Sequence, residues 1–160
     1  KLHFAPDQQE QTFLDWVAPL VPPERAQPVR ILRSTQRGFT DSAEPTISLC
    51  NLSSHRAVGQ KLEQDLSPLR WRGNVWLDGL GPWEEFEWIG RTLRLGTAEL
   101  EVIDRITRCT ATMANPDTGR RDADTLKALK DGWDHMDFGV YAVVTKPGEV
   151  ALGARCELLP

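Results

Sequence analysis

Cys109 has electrostatic company: Arg105 and Arg108 precede it, Thr107, Thr110 and Thr112 surround it, and Asn115, Pro116, Asp117, Thr118 and Gly119 form a sharp turn signal after it. The thiolate is the nucleophilic and metal-ligating form of cysteine, and neighbouring cations favour it. In a regularly alternating strand, Arg105, Thr107 and Cys109 share one side while Ile106 and Arg108 share the other, so at least one guanidinium lies near the sulfur. The opposing reading is a small apolar residue packed at a strand end. A second cluster, Arg70, Trp71, Arg72, Gly73 and Asn74, precedes an apolar run. Two apart on an extended segment, Arg72 and Asn74 set a planar donor fork beside an amide, which suits a phosphate or a polar heterocycle. The plain alternative is a solvated arginine pair at a strand entrance.

Other chemistries lose support. His3, His55 and His135 are far apart, with no HExxH or paired-cysteine spacing, and no GxSxG, GxxxxGK[ST] or GxGxxG motif occurs. The cysteines, Cys50, Cys109 and Cys156, are three in number and widely spaced, which argues against a disulfide framework and for a reducing, cytoplasmic setting. A net charge of -4 disfavours nucleic acid as a partner, and no apolar run is long enough to span a membrane. The 160 residues suit one domain, and an opening residue other than Met raises the expectation of a piece of a longer protein.

These residues need elements to hold them. Asp7 as N-cap, Glu10 three residues on, and Phe13, Trp16, Val17 and Leu20 at helical spacing predict an amphipathic helix. Pro19, Pro22, Pro23 and Pro28 then make an extended connector, so residues 1–28 form a helix and Pro-rich lead and residues 29–160 the main domain. In that domain residues 29–32, 46–49, 74–77, 92–95, 100–106, 139–145 and 150–158 read as short strands, a pattern of barrels and sandwiches. Gly96 with Thr97, and residues 146–149, read as hairpin turns. Ser53 or Ser54, and Asp122 or Asp124, are candidate caps of two short helices. The aromatic segment 82–88 reads as core or lid packing. The fold class is therefore mainly β with peripheral helices (α+β).

Together these pieces resemble a MOSC domain, the module named for the C-terminal part of molybdenum cofactor sulfurases and present in amidoxime-reducing components. The likeness runs through residues 47–54, Arg70 to Val75 with its Arg72-Gly73-Asn74 core, Trp88-Ile89-Gly90, Arg108-Cys109, Asn115-Pro116-Asp117-Thr118-Gly119, Phe138-Gly139-Val140-Tyr141 and residues 148–153. It covers most of residues 29–159, and its specific part is Arg108-Cys109 followed by Pro116-Asp117-Thr118-Gly119.

The resemblance implies a mixed MOSC-type β-barrel and a molybdenum cofactor (molybdopterin). In amidoxime-reducing members, the matching cysteine, here Cys109, is a molybdenum ligand, and residues matching Arg72, Asn74 and Thr107 hold the pterin and its phosphate. Arg108 either joins that grip or holds its strand. In the sulfurase context the same cysteine is a proposed sulfur carrier, as a persulfide. The first role implies an oxidoreductase acting on an N-oxygenated small molecule with a separate electron-donor protein; the second implies sulfur donor and acceptor proteins, without pyridoxal phosphate bound to this domain. A third reading is a non-catalytic binding module, which a deeply buried Cys109 would favour. Two departures stand out: Gly73 takes the place where amidoxime-reducing relatives have proline, and only about 28 residues precede the barrel, where full-length relatives often carry an N-terminal β subdomain.

Overall fold

The computed structural model describes residues 3, 5, 8–33 and 44–160, and the chain divides into two units, Lys1–Asp41 and Ser42–Pro160. In the first, α1 spans Glu10–Val17 and runs into a 3-10 turn, Ala18–Leu20, which has Pro19 near its start. Asp7 lies outside the described residues. Glu10 does not close a capping box: its carboxylate accepts from the backbone N–H of Ile31 at 3.1 Å. Residues 29–33 carry no strand, and Val29 and Leu32 are 80% and 58% exposed. Apolar and β-branched residues favour an extended chain, but a strand exists only when a neighbour takes its backbone hydrogen bonds.

The second unit is a curled half-barrel of six strands in a mixed sheet, with the order β2-β1-β5-β4-β3-β6. The strands are β1 (Thr46–Asn51), β2 (Val75–Leu77), β3 (Thr92–Leu95), β4 (Ala98–Thr107), β5 (Asp137–Lys146) and β6 (Cys156–Leu158). β1 and β2 run parallel and are linked by α2 (Leu52–Leu62), while the other neighbours are antiparallel. Ser53 and Ser54 do not cap α2. Asn51 does, accepting from Ser53 N, and this frees Ser54 to donate to the buried Glu85. Asp124 caps α3 (Thr125–Trp133).

β3 and β4 form the expected hairpin around Gly96, but residues 146–149 do not. The loop after β5 crosses the β3–β4 turn, where Thr97 N donates to Glu149 O and Glu149 N to Thr97 Oγ1. The chain is thereby carried to the far edge of β3, and only Cys156–Leu158 of the expected last strand pairs.

Each face of the sheet carries a core. Leu49, Leu77, Trp88, Leu93, Leu100, Val102, Val140 and Ala142 fill one, with Phe86; Cys50, Val58, Trp71, Leu129 and Phe138 fill the other, under α2 and α3. Leu49 and Cys50 separate as strand alternation requires. Phe138 and Val140 should share a face and do not, because Gly139 between them has φ 75°. That left-handed backbone turns Phe138 against Trp71, where the rings stack 3.8 Å apart at 10°. A side chain at 139 would also meet Leu49 O at 2.6 Å. The aromatic segment 82–88 packs as expected, with Phe86 and Trp88 buried.

β2 and β6 are the two edges of the sheet, and a cleft of about 920 Å³ opens between them, lined by Asn74, Trp76, Leu77, Trp88, Leu95 and residues 150–156 among others.

Candidate functional site

Cys109 lies just past the end of β4, at the start of a 3-10 turn, Thr110–Met113. It is exposed, and no hydrogen bond reaches its sulfur among the described residues. The other two cysteines differ: Cys156 is half-buried, and Cys50 is sealed in the core, where burial pushes its thiol up to about 11 against the opposing pull of the Arg108 guanidinium. Of the three, Cys109 is the one placed to react or to ligate. Its carbonyl accepts from Thr112 N and from Thr112 Oγ1, and Thr112 Oγ1 also meets Thr125 Oγ1 at 2.7 Å, which ties the thiol-bearing turn to α3.

Arg108 turns inward. Nε and Nη2 donate to Phe138 O at 2.8 and 2.6 Å, Nη1 donates to Trp71 O at 2.7 Å, and Nη2 lies 3.7 Å from Cys50 Sγ. One fork thus joins the residue before Cys109 to β5 and to the residue before Arg72. Burial lowers the affinity of this guanidinium for its proton, and the nearby Cys50, Tyr141 and Cys109 oppose that effect. Of the two roles open to it in the sequence, holding the strand is the one its hydrogen bonds perform.

Arg72 and Asn74 follow a 3-10 turn, Pro68–Trp71. Three residues per turn send Arg70 and Arg72 in different directions. Arg70 is buried; Arg72 is exposed and holds a left-handed φ of 53°, its backbone N–H donates to Leu69 O at 3.2 Å, and its guanidinium has no hydrogen bond or ion pair among the described residues. That backbone is the left-handed close of a helical turn, which Glu63 and Asp134 also adopt at the ends of α2 and α3. Asn74 Oδ1 takes two donors, Ser48 N and Ser48 Oγ, each at 2.9 Å, which leaves the Nδ2 donors without a protein acceptor among the described residues. The Thr107 hydroxyl donates to Asp137 Oδ1 at 2.7 Å.

Gly73 is explained by Cys50. A Cβ at 73 would sit 2.8 Å from Cys50 Sγ and 3.0 Å from Trp76 Nε1. Any side chain there, proline included, competes with the buried thiol for the same space.

The residues that hold this loop are not the ones the sequence assigns to the cofactor. Arg70, with 4% of its side chain exposed, donates to Met113 O and pairs with Asp122, which also accepts from Asn115 Nδ2. Asn115 Oδ1 in turn accepts from Asp117 N and Thr118 N, so the 115–119 turn is closed by its own first residue. The Arg72 loop and the Cys109 loop are therefore joined twice, through Arg70 and through Arg108. Arg70 stands in the Arg-Trp-Arg run, but periodicity alone gives no sign of which arginine is buried.

Among the described residues no three His, Cys, Asp or Glu side chains group as a metal site. His55 accepts from Trp71 Nε1, and His135 accepts from Asp137 N.

A half-barrel of this topology, with an exposed cysteine after the central β4 and an arginine-glycine-asparagine loop tied to it, is a MOSC domain. The sequence model of the MOSC domain family matches residues 32–157, and the chain belongs to that family. It is similar to the molybdenum cofactor sulfurase of Caenorhabditis briggsae, at 28% identity over 117 residues, covering 71% of this chain and 16% of that protein. It is also similar to mitochondrial amidoxime-reducing component 1 of Mus musculus, at 26% identity over 141 residues, covering 81% of this chain and 41% of that one. The chain thus spans less than half of either relative. In fold it is similar to YiiM from Escherichia coli, with a TM-score of 0.53 at 18% identity, covering 71% of this chain and 54% of that one. Among the described residues no helix is long and apolar enough to cross a membrane.

Proposed function

We propose that this MOSC domain binds the molybdenum cofactor with the Cys109 thiolate as its protein ligand to the metal, and that it serves the reduction of an N-oxygenated small molecule. The observation that carries the reading is the exposed sulfur of Cys109, which no hydrogen bond reaches among the described residues, set on a turn that Arg108 ties to the residue before the exposed Arg72. A lone thiolate suits a metal that arrives with its own sulfur donors, and the residues present fit such a group. When bound, the cofactor supplies a molybdenum centre for two-electron oxygen transfer. The chain supplies the rest. Arg72 and Asn74 Nδ2 offer donors to an anionic phosphate, Thr107 lies two residues before the sulfur, and Arg108 fixes the backbone carrying Cys109. Electrons come from a separate donor protein, and the setting is cytoplasmic.

Metal analysis of the full-length protein tests this. Wild type carries molybdenum and Cys109→Ala loses it, while the variant melts at the temperature of metal-free wild type. Wild type that takes up no molybdenum after reconstitution refutes the reading.

The likeness to cofactor sulfurases favours a second use of the same thiol. As a sulfur carrier, the Cys109 thiolate attacks the outer sulfur of a desulfurase persulfide; the new S–S bond forms as the old one breaks, and the donor cysteine leaves as thiolate. Incubation with a desulfurase and cysteine then adds one sulfur atom to wild type and none to Cys109→Ser, and an unmodified wild type counts against it. A deeply buried Cys109 would favour the non-catalytic module, and the residue is exposed.

A further inference from the structure

The 115–119 turn brings the chain back alongside the residues that follow Cys109. Asn115 N donates to Arg120 O at 2.8 Å, Asp122 N donates to Met113 O at 3.1 Å, and Ala114 and Arg121 pair as an isolated antiparallel bridge. These bonds lay residues 120–122 against the 3-10 turn Thr110–Met113, which begins directly after the thiol. The side chains of Asp122 and Arg121 then part. Asp122 accepts from Arg70 and from Asn115. Arg121 reaches back to Thr110, where Nη2 donates to Oγ1 at 3.4 Å.

Thr110 is the residue after Cys109, and Cys109, Thr110 and Arg121 are all exposed. Consecutive Cα atoms lie about 3.8 Å apart, so the Arg121 guanidinium stands within roughly 10 Å of the sulfur, about one Debye length at moderate salt. No carboxylate pairs with Arg121 among the described residues, and the charge of its neighbour Asp122 is matched by Arg70. The other guanidinium close to the thiol belongs to Arg108, which is turned inward with its donors spent on Phe138 O and Trp71 O. An incoming molecule at this turn therefore meets the charge of Arg121.

We propose that Arg121 is a specificity-determining residue of the Cys109 site, which makes the thiolate select small molecules carrying a carboxylate close to the reacting group. The inference rests on Cys109 as the atom that reacts or ligates and adds a substrate class to the reading above: a carboxylate-bearing substrate is favoured over its neutral amide. It also gives the 115–119 turn a task, since the bonds that close this turn are what return Arg121 to Thr110.

Alkylation of the metal-free full-length protein tests this, with iodoacetate and iodoacetamide as an anionic and a neutral probe of nearly the same size. In both reactions the thiolate displaces iodide, an S–C bond forming as the C–I bond breaks. The ratio of the two rates at Cys109, read by peptide mass spectrometry, cancels any change in thiolate population. One unit charge several ångströms away across water alters that ratio by about two- to threefold. Arg121→Gln lowers the ratio by this factor and Arg121→Lys keeps it. Salt at roughly 1 M, where the Debye length is about 3 Å, brings wild type to the level of Arg121→Gln. Arg120→Gln is the control, because the Arg120 side chain makes no bond to the Thr110–Met113 turn among the described residues, and it leaves the ratio unchanged. All three variants melt at the wild-type temperature, as substitutions of exposed side chains should. A ratio unaltered in Arg121→Gln, or lowered as far in Arg120→Gln, overturns the inference and leaves molybdenum binding untouched. Wild type that takes up no molybdenum sinks the cofactor reading and leaves the ratio as it is.

Discussion

Replacing Arg108 with lysine separates the two roles open to this residue. The guanidinium makes three bonds to two carbonyls, Phe138 O at 2.8 and 2.6 Å and Trp71 O at 2.7 Å. Lysine keeps the charge but lacks the fork, so it satisfies one carbonyl and leaves the other without its donor. Each charge-assisted bond is worth about 1.5–3 kcal/mol, so the loss of two, softened by water reaching a residue that is not fully sealed, gives roughly 3 kcal/mol. In a unit of this size such a loss lowers the melting temperature by roughly 10 °C. The assay is thermal unfolding of the metal-free protein, followed by near-ultraviolet circular dichroism from the stacked Trp71 and Phe138. Arg108→Lys should melt early without any cofactor present. If the metal-free variant melts within about 2 °C of wild type yet fails to retain cofactor, then Arg108 serves the ligand and the clamp reasoning is refuted.

Gly73→Ala should destabilise the domain by about 1–3 kcal/mol through overpacking, and Cys50→Ala in the same chain should recover most of it, since Sγ is the nearest atom to the added Cβ; additive effects in denaturant titrations would break the link. Iodoacetamide should label Cys109 in the native protein within the time that Cys50 stays untouched, because Cys50 is sealed and its thiol lies up at about 11; equal labelling by peptide mass spectrometry would contradict the burial. Burial raises the Glu85 carboxyl above its ordinary value against the donors Asn51 and Ser54. The native state therefore holds this proton longer than the unfolded chain does, and the stability Glu85 contributes is full below the ordinary carboxylate range and is lost as pH rises through the raised native value. Denaturation midpoints measured across that window should lose this component of their slope in Glu85→Gln; an unchanged slope would show that other groups set it.

What the sequence settles by itself is local chemistry and order. Alternation and turn residues place β1 to β5 and the Gly96 hairpin, because those signals act over a few neighbouring residues. The spacing of Arg72, Asn74, Thr107 and Cys109, read with the family motif, picks out the exposed thiol and the unpartnered arginine. Which groups are free was for the tertiary structure to decide. Residues 29–33 have strand composition but no strand, since pairing depends on a partner distant in sequence. Residues 146–149 look like a hairpin, yet the crossing over Thr97 sends the chain to β3. Arg70 and Arg72 are the same residue type two apart; one is buried on Asp122 and the other faces solvent, because a 3-10 turn and a partner 52 residues away divide them. Position 73 takes a glycine for a reason 23 positions back, where Cys50 fills the space a side chain would need. The direction of the Thr107 hydroxyl belongs to the same class. A hydroxyl can give or take a proton, and only the residue opposite it across the sheet, Asp137, determines which.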